Sequence, residues 1–232
     1  MNTHYRKRIA CLTASLFLVH LTSTAQDWPG LKRYEQENQK AAPLAKNEDR
    51  VVFMGNSITD SWIKYSPEFF AGRPYFDRGI GGQTTPQMLV RFRADVIKLQ
   101  PKVVVILAGT NDIAGNTGPS TLEMIEDNLT SMAELAKANK IKVILSSVLP
   151  AYKYPWKPDV EPAEKIFLLN EWIKDYASKN NHIYLDYYSA MVDERKGLKK
   201  ELSGDGVHPN KAGYTIMEAL VEKAIKKALR KK

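Results

Sequence analysis

The chain has 232 residues, of which 44% are apolar and 26% are charged, a composition that excludes fibrous and intrinsically disordered proteins and fits one globular domain. Its formal net charge is +8, but nine of its 34 basic residues lie within residues 6–8 and 223–232, and the others are nearly balanced by the 26 acidic residues. A basic surface of the kind that binds nucleic acid is therefore not expected.

Residues 1–25 have the pattern of an export signal. Basic residues at 6–8 precede an apolar run at 9–21, and Ser23-Thr24-Ala25 forms a small-residue cleavage pattern before residue 26. Thirteen apolar residues are too few to span a bilayer. We therefore expect export to the periplasm or the cell exterior without stable membrane insertion. The single cysteine, Cys11, lies in this segment, so residues 26–232, expected to fold as one mature domain, can form no disulfide.

Beyond this segment, short apolar strands alternate with helices. A short helix is predicted over 30–40. The predicted strands are 51–54, 75–77, 103–107, 142–146 and 183–185. The longer predicted helices are 86–99, 121–139, 162–179 and 211–231. Because buried strands that alternate with helices form a parallel sheet covered on both faces, the sequence predicts a three-layer α/β/α sandwich.

Four polar loops lie between the predicted strands and helices. In an open parallel sheet, functional loops lie beyond the carboxyl ends of the strands. Three loops rich in glycine and short polar residues come directly after predicted strands, and a fourth precedes the last helix. They are Gly55-Asn56-Ser57, Gly79-Ile80-Gly81-Gly82, Gly109-Thr110-Asn111-Asp112 and Asp205-Gly206-Val207-His208. Each alone is typical of a turn or a helix cap, but their joint occurrence in this order indicates an active site.

Ser57 is the candidate nucleophile. It follows a strand and begins a helix, so the free N–H groups and the dipole of that helix favour an anionic intermediate. A serine needs a base, and His208 is better placed than His182, which precedes a strand at the opposite end of the sheet. Asp205 lies three residues before His208, a spacing that lets one turn join the carboxylate to the imidazole.

The same loops contain candidate donors for an oxyanion hole. These are the backbone N–H groups of Ser57 and Gly82 and the side-chain amide of Asn111. Residues 26–232 contain no cysteine, which excludes a thiol nucleophile and thiolate metal ligands there. The two histidines in this range are far apart in the sequence, so a zinc site is not expected. No dinucleotide or phosphate-binding glycine motif occurs. We therefore expect neither a metal nor a cofactor.

The four blocks resemble those of the SGNH (GDSL-type) hydrolase family over most of the chain. The resemblance implies a flavodoxin-like α/β fold and hydrolysis of carboxylic esters without a cofactor. It implies that Ser57 is the nucleophile, that His208 is the base and that Asp205 orients it. It also implies that Gly82 and Asn111 complete the oxyanion hole.

Two positions depart from the pattern of that family. Asn56 stands before the serine where aspartate is usual, and Gln83 follows the glycines where aspartate is frequent. Neither position carries a proton in the mechanism. We therefore expect altered hydrogen bonding at the rim of the site rather than a loss of activity.

O-acetyl groups on carbohydrate are the favoured substrate. An exported esterase meets polysaccharide, and the proline-rich loop 150–162 carries Tyr152, Tyr154 and Trp156, which could stack on sugar rings or equally pack beneath the loop. One alternative is a lipid-directed acylhydrolase, similar to a lysophospholipase or a platelet-activating-factor acetylhydrolase, that uses the same residues. Another is a non-catalytic carbohydrate-binding domain on this scaffold.

Overall fold

The computed structural model describes residues 26–41 and 48–230, so the predicted export signal and Cys11 lie outside the described residues. Five parallel strands form one sheet in the order β2-β1-β3-β4-β5. The strands are β1 (Val51–Gly55), β2 (Tyr75–Gly79), β3 (Val103–Leu107), β4 (Lys142–Ser146) and β5 (Ile183–Leu185). This strand order is that of flavodoxin-like folds, as predicted.

The described helices include four long ones and several short ones. They are α1 (Glu35–Lys40), α2 (Ser57–Tyr65), α3 (Pro67–Phe70), α4 (Thr85–Asp95), α5 (Thr110–Ile113), α6 (Leu122–Ala138), α7 (Ala163–Lys179), α8 (Tyr188–Met191) and α9 (Lys211–Arg230). Two single 3₁₀ turns cover Ile97–Leu99 and Lys200–Leu202. The helix predicted over 30–40 begins only at Glu35, because the carboxylate of Asp27 accepts hydrogen bonds from the backbone N–H groups of Leu31 and Lys32 and holds turns there.

Each face of the sheet has its own apolar layer. Along β1, Val52 and Met54 belong to the cluster formed with α4, α6 and α7, whereas Val51 and Phe53 belong to the cluster formed with α2, α3 and α9. This alternation is what a strand buried on both faces requires, because successive side chains point to opposite sides. The predicted three-layer arrangement is therefore confirmed.

The sheet register brings the polar loops together. Gly55 at the end of β1 pairs with Gly79 at the end of β2 and with Leu107 at the end of β3. The end of β2 lies close to the first turn of α2, since a Cβ atom on Gly79 would come within 2.1 Å of the backbone nitrogen of Asp60. A larger residue than glycine at position 79 would push the end of β2 away from α2.

Candidate active site

Ser57 is the first residue of α2, as predicted. Asn56 caps this helix, since its Oδ1 accepts a hydrogen bond of 3.0 Å from the backbone N–H of Ile58. The cap fixes the turn between β1 and α2. The serine side chain is therefore held beyond the carboxyl end of β1, where the helix dipole favours negative charge.

The structure brings Ser57, His208 and Asp205 together. Ser57 Oγ lies 2.9 Å from His208 Nε2, and His208 Nδ1 lies 2.7 Å from Asp205 Oδ2. The two ring nitrogens of one imidazole thus join a hydroxyl to a carboxylate. This is the geometry in which a histidine can take the proton of a serine while an acid orients its ring.

The turn that holds Asp205 also stabilises its charge. Its Oδ1 accepts hydrogen bonds from the backbone N–H groups of Val207 (2.9 Å) and His208 (2.8 Å). Burial opposes ionisation of this carboxyl, but the hydrogen bonds from the His208 ring and from these N–H groups outweigh it and lower its pKa to about 2. Asp205 is therefore a carboxylate at every pH at which an esterase would be assayed.

Ser203 supports this turn and was not singled out in the sequence. Its Oγ lies 2.8 Å from the carbonyl oxygen of His208 and accepts a hydrogen bond of 2.9 Å from the N–H of Gly206. A short hydroxyl residue two positions before the acid is the signal that could have identified it, since such residues commonly close turns.

The candidate oxyanion donors lie on two neighbouring loops. Gly82 has a φ of +76°, a left-handed conformation that glycine adopts without strain. Asn111 is buried at the start of α5, and its Nδ2 donates to the carbonyl oxygen of Gln83 at 2.9 Å. The second amide hydrogen of Asn111 has no partner within the described part of the chain.

The two departures from the family pattern lie inside the protein. Asn56 is 1% exposed and Gln83 is 4% exposed. Gln83 Oε1 accepts from Arg91 Nε at 2.6 Å, and its Nε2 donates to the carbonyl oxygen of Pro29 at 2.7 Å. The altered hydrogen bonding that was expected at the rim of the site therefore lies inside the protein, because both side chains are buried. That these two departures leave activity intact stays a prediction.

Asp112 is a second supporting residue that the sequence did not single out. Its Oδ1 accepts hydrogen bonds from the backbone N–H of Thr85 (2.9 Å) and from its hydroxyl (2.6 Å). Burial raises the pKa of this carboxyl to about 6, although the hydrogen bonds from Thr85 work against that rise. Asp112 therefore joins the loop that carries Asn111 to the first turn of α4.

The three aromatic residues of loop 150–162 occupy different environments. Trp156 is 39% exposed, its ring centroid lies 6.1 Å from that of His208, and its Nε1 donates to Asn116 Oδ1 at 3.1 Å. Tyr154 stacks beneath Trp156 at 5.0 Å and is fully buried, with its hydroxyl 2.8 Å from Thr110 Oγ1. The prediction that Tyr154 contacts substrate was wrong, because its side chain is not exposed to solvent.

Tyr152 is exposed but packs with a different segment. The guanidinium of Arg195 lies 5.5 Å from its ring centroid, and Gly197 lies against its side chain. Of the three aromatic residues, Trp156 is the one whose ring is paired with the ring of His208. The structure therefore gives only Trp156 a contact with a candidate catalytic residue.

His182 lies at the opposite end of the sheet, as predicted. It directly precedes β5 and lines a cavity of about 510 Å³ together with Lys142, the first residue of β4. Within residues 26–41 and 48–230, no group of three or more histidine, cysteine or acidic residues is arranged to hold a metal ion. No helix in these ranges combines the length and the apolar character needed to cross a bilayer.

Residues 53–216 match the model of the GDSL-like lipase/acylhydrolase family. The crystal structure of a GDSL-like lipase from Bacteroides thetaiotaomicron is 52% identical in sequence. That likeness covers 86% of this chain and 98% of the lipase, with a TM-score of 0.84.

Two more distant relatives are acetylxylan esterases. That of Xylanibacter ruminicola is 28% identical over 225 residues, which cover 81% of this chain and 45% of the relative. Axe2 from Geobacillus stearothermophilus, whose structure is known, is 22% identical in sequence. The likeness covers 76% of this chain and 94% of Axe2, with a TM-score of 0.64. At this identity it shows the shared fold alone. The chain spans less than half the length of the curated relatives that it matches.

Proposed function

The chain belongs to the GDSL-like lipase/acylhydrolase family and is a carboxylic ester hydrolase, and from this premise we propose that it removes O-acetyl groups from carbohydrate through an acyl-enzyme on Ser57. The observation that carries the proposal is the pairing of Ser57 Oγ with His208 Nε2 at 2.9 Å, while His208 Nδ1 faces the ionised Asp205. A serine without such a base is a poor nucleophile.

The reaction has two halves. Ser57 Oγ attacks the ester carbonyl while His208 Nε2 takes the hydroxyl proton, and His208 then returns this proton to the departing alcohol. A water molecule next attacks the acyl-enzyme, gives a proton to His208 and releases the acid, after which the proton returns to Ser57. Asp205 stays ionised throughout and stabilises the imidazolium that forms in each half.

The tetrahedral intermediate carries a negative charge on the former carbonyl oxygen. The backbone N–H groups of Ser57 and Gly82 and the free amide hydrogen of Asn111 are the proposed donors to this oxygen. Ser57 and Asn111 come from adjacent strands, since Gly55 pairs with Leu107 in the sheet. Donors fixed in this way stabilise charge without reorganising during the reaction.

Trp156 supports the carbohydrate assignment. It is a partly exposed indole beside His208, and its lower face is already covered by Tyr154. An aromatic ring held in this way offers one free face to the apolar side of a sugar ring. The acetylxylan esterases among the relatives favour the same substrate class.

Ser57→Ala tests the nucleophile. We expect it to abolish hydrolysis of aryl acetates and covalent labelling by a fluorophosphonate, with thermal unfolding unchanged, because only the attacking oxygen is removed. Ser61→Ala is the matched control, since this residue lies one turn later on α2. Labelling at another serine in the wild-type protein, found by peptide mass spectrometry, would contradict the assignment.

A substrate series separates the acetylesterase from the lipid-directed alternative. Aryl esters of increasing chain length should be hydrolysed more slowly beyond acetate, and acetylated xylo-oligosaccharides should release acetate. Activity that rises with chain length would instead favour a lipid acylhydrolase. A protein that binds these oligosaccharides without releasing acetate would be a carbohydrate-binding domain.

Export and domain organisation remain part of the proposal. We propose that residues 26–232 form a single mature domain in the periplasm or outside the cell, because residues 1–25 have the sequence pattern of a cleaved signal. Sequencing the amino terminus of the exported protein tests this, with Gln26 expected as the first residue. An amino terminus at Met1 in the exported fraction would contradict it.

A further inference from the structure

Residues 27–40, which we call the strap, lie before β1 and outside the region that matches the family model. The strap contacts both ends of the loop 79–84, which carries Gly82. The hydroxyl of Tyr34 donates to the carbonyl oxygen of Gly79, and the carbonyl oxygen of Pro29 accepts from Gln83 Nε2 at 2.7 Å. The strap thus fastens this loop at its start and near its end.

The strap is also held to helix α4, which follows the loop. Gln87 Nε2 donates to the carbonyl oxygen of Trp28 at 2.7 Å, and Asn38 Nδ2 donates to Asp95 Oδ1 at 2.7 Å. These contacts lie at the two ends of α4. The position of the strap is therefore fixed by the helix independently of its contact with Gln83.

Gln83 is held from the other side by Arg91. This arginine is fully buried, and its Nε donates to Gln83 Oε1 at 2.6 Å. Its terminal nitrogens donate to the carbonyl oxygen of Gly55 at 3.0 Å and to Asp95 Oδ2 at 2.9 Å. Arg91 therefore connects the loop of Gly82 to the strand end that precedes Ser57.

The backbone of Gln83 joins the same network. Its carbonyl oxygen accepts from Asn111 Nδ2 at 2.9 Å. One residue thus links the loop of Gly82, the loop of Asn111 and, through Arg91, the turn of Ser57. These are the three loops that supply the proposed oxyanion donors. Small shifts of such donors weaken stabilisation of the transition state much more than they weaken substrate binding.

We propose that Gln83 is a positioning residue for the oxyanion hole, clamped between Arg91 and the strap, so that residues 27–40 form part of the working active site. The inference rests on the proposed function, because it assigns a role to the support of that site. A merely structural role would lower stability without separating kcat from KM. A positioning role lowers kcat and leaves KM nearly unchanged.

The first test compares Gln83→Leu with Asn170→Leu, using hydrolysis of an aryl acetate. Asn170, on α7, is also buried, and its side chain makes its two hydrogen bonds, of 2.7 and 3.0 Å, to the backbone of Val148 and none to the loop 79–84. Both variants should unfold at a lower temperature. Only Gln83→Leu should lower kcat, by about 10- to 100-fold, while KM stays within about threefold of the wild-type value. This loss is smaller than the roughly 10²- to 10³-fold loss caused by removing one oxyanion donor, because the donors are displaced and not removed.

The second variant, Gln83→Glu, separates the two sides of the clamp. Its carboxylate retains an acceptor for Arg91 but faces the carbonyl oxygen of Pro29 with no donor. If the hydrogen bond from Gln83 to the strap holds the loop 79–84 in place, its loss lowers kcat and the amide hydrogens of residues 79–84 exchange faster with solvent. Wild-type kcat and exchange in this variant would show that Arg91 alone positions the loop and would overturn the role of the strap.

Labelling of Ser57 in the wild-type protein separates the two possible failures. If a fluorophosphonate does not label Ser57, the proposed function fails and the inference fails with it. If Ser57 is labelled and Gln83→Leu keeps wild-type kcat, the proposed function stands and the positioning role is wrong. Gln83→Glu keeps the buried Arg91 paired, so it remains a test even if Gln83→Leu does not fold.

Discussion

Asn111 is a buried amide with one hydrogen bonded to the backbone of Gln83 and a second that we propose binds the substrate oxygen. Asn111→Ala should lower kcat for an aryl acetate by about 10²- to 10³-fold, the usual cost of one oxyanion donor, with a smaller effect on KM. Steady-state kinetics measure this effect, and circular dichroism shows whether the variant is folded. Unchanged turnover would mean that Asn111 only supports the loop.

The pH dependence of activity depends on His208. In assays between about pH 8 and about pH 5, hydrolysis should decline toward the acidic side, because general-base catalysis needs an imidazole that is free to accept the serine proton. Asp205, with a pKa of about 2, stays ionised over this range and does not contribute. Asp112 does titrate there, since burial raises its pKa to about 6.

Asp112→Asn therefore serves as the control for the pH profile. The decline in kcat/KM on acidification should persist in this variant, because the asparagine has no carboxyl group to protonate and His208 is still the proposed base. A profile that becomes flat in Asp112→Asn would assign the acidic decline to Asp112 instead of His208.

At the scale of single residues, the sequence was informative where a side chain has a chemical role that few residue types can fill. Ser57, Asp205 and His208 were proposed together because a nucleophile, an acid and a base must occur together, and the structure places them within hydrogen-bond distance of one another. Ser203 and Asp112 were missed, because a hydroxyl or a carboxylate in a loop is usually a turn residue and only its partner in space reveals its role.

Among the structural elements, the loop 150–162 carries Trp156, which we propose as a platform for a sugar ring. Trp156→Ala should raise KM for acetylated xylo-oligosaccharides while leaving KM for an aryl acetate unchanged, if the indole is a sugar platform. The loss of one stacking contact is worth on the order of 1 to 3 kcal/mol if the figure for nucleobases applies to sugars. Equal losses on both substrates would show that Trp156 only supports the site around His208.

The strands and the helices α6, α7 and α9 were predicted closely, but the start of α1 and the end of α4 were not. β3, β4 and β5 have the predicted bounds, because each contains a run of at least three apolar or aromatic residues. The helix predicted over 86–99 instead ends at Asp95 and gives way to a 3₁₀ turn at Ile97–Leu99. Single-turn helices such as α3 and α8 were not predicted, because so short a helix depends on tertiary packing.

The stability of the whole molecule should depend on Asp77, at the edge of the sheet in β2. Its Oδ2 is buried with no hydrogen-bond partner among the described residues, and its Oδ1 accepts from the N–H of Gly79 at 2.7 Å. Burial raises its pKa to about 7 from an ordinary value of 3.8. The folded protein thus retains a proton that the unfolded chain releases, so this group lowers stability as the pH rises from about 4 to about 7.

Asp77→Asn should therefore be more stable than the wild-type protein at pH 8, and the difference should be small at pH 4. The asparagine keeps an acceptor for Gly79 and carries no charge to bury. The expected difference at pH 8 is about 4 kcal/mol in the free energy of unfolding, since folding raises the pKa of Asp77 from 3.8 to about 7 and one pKa unit corresponds to about 1.4 kcal/mol. Urea unfolding at both pH values measures it, and an equal effect at both would contradict the titration of Asp77.

The sequence by itself determined the fold class, the family and the residues with candidate chemical roles, because strand and helix periodicity and the four polar blocks are local patterns. Only the tertiary structure decided that Tyr154 is buried with its hydroxyl against Thr110 and that Gln83 is clamped between Arg91 and the strap. These contacts join residues from separate elements. Which of several polar or aromatic side chains meets a given partner depends on how those elements pack, and spacing along the chain does not specify this.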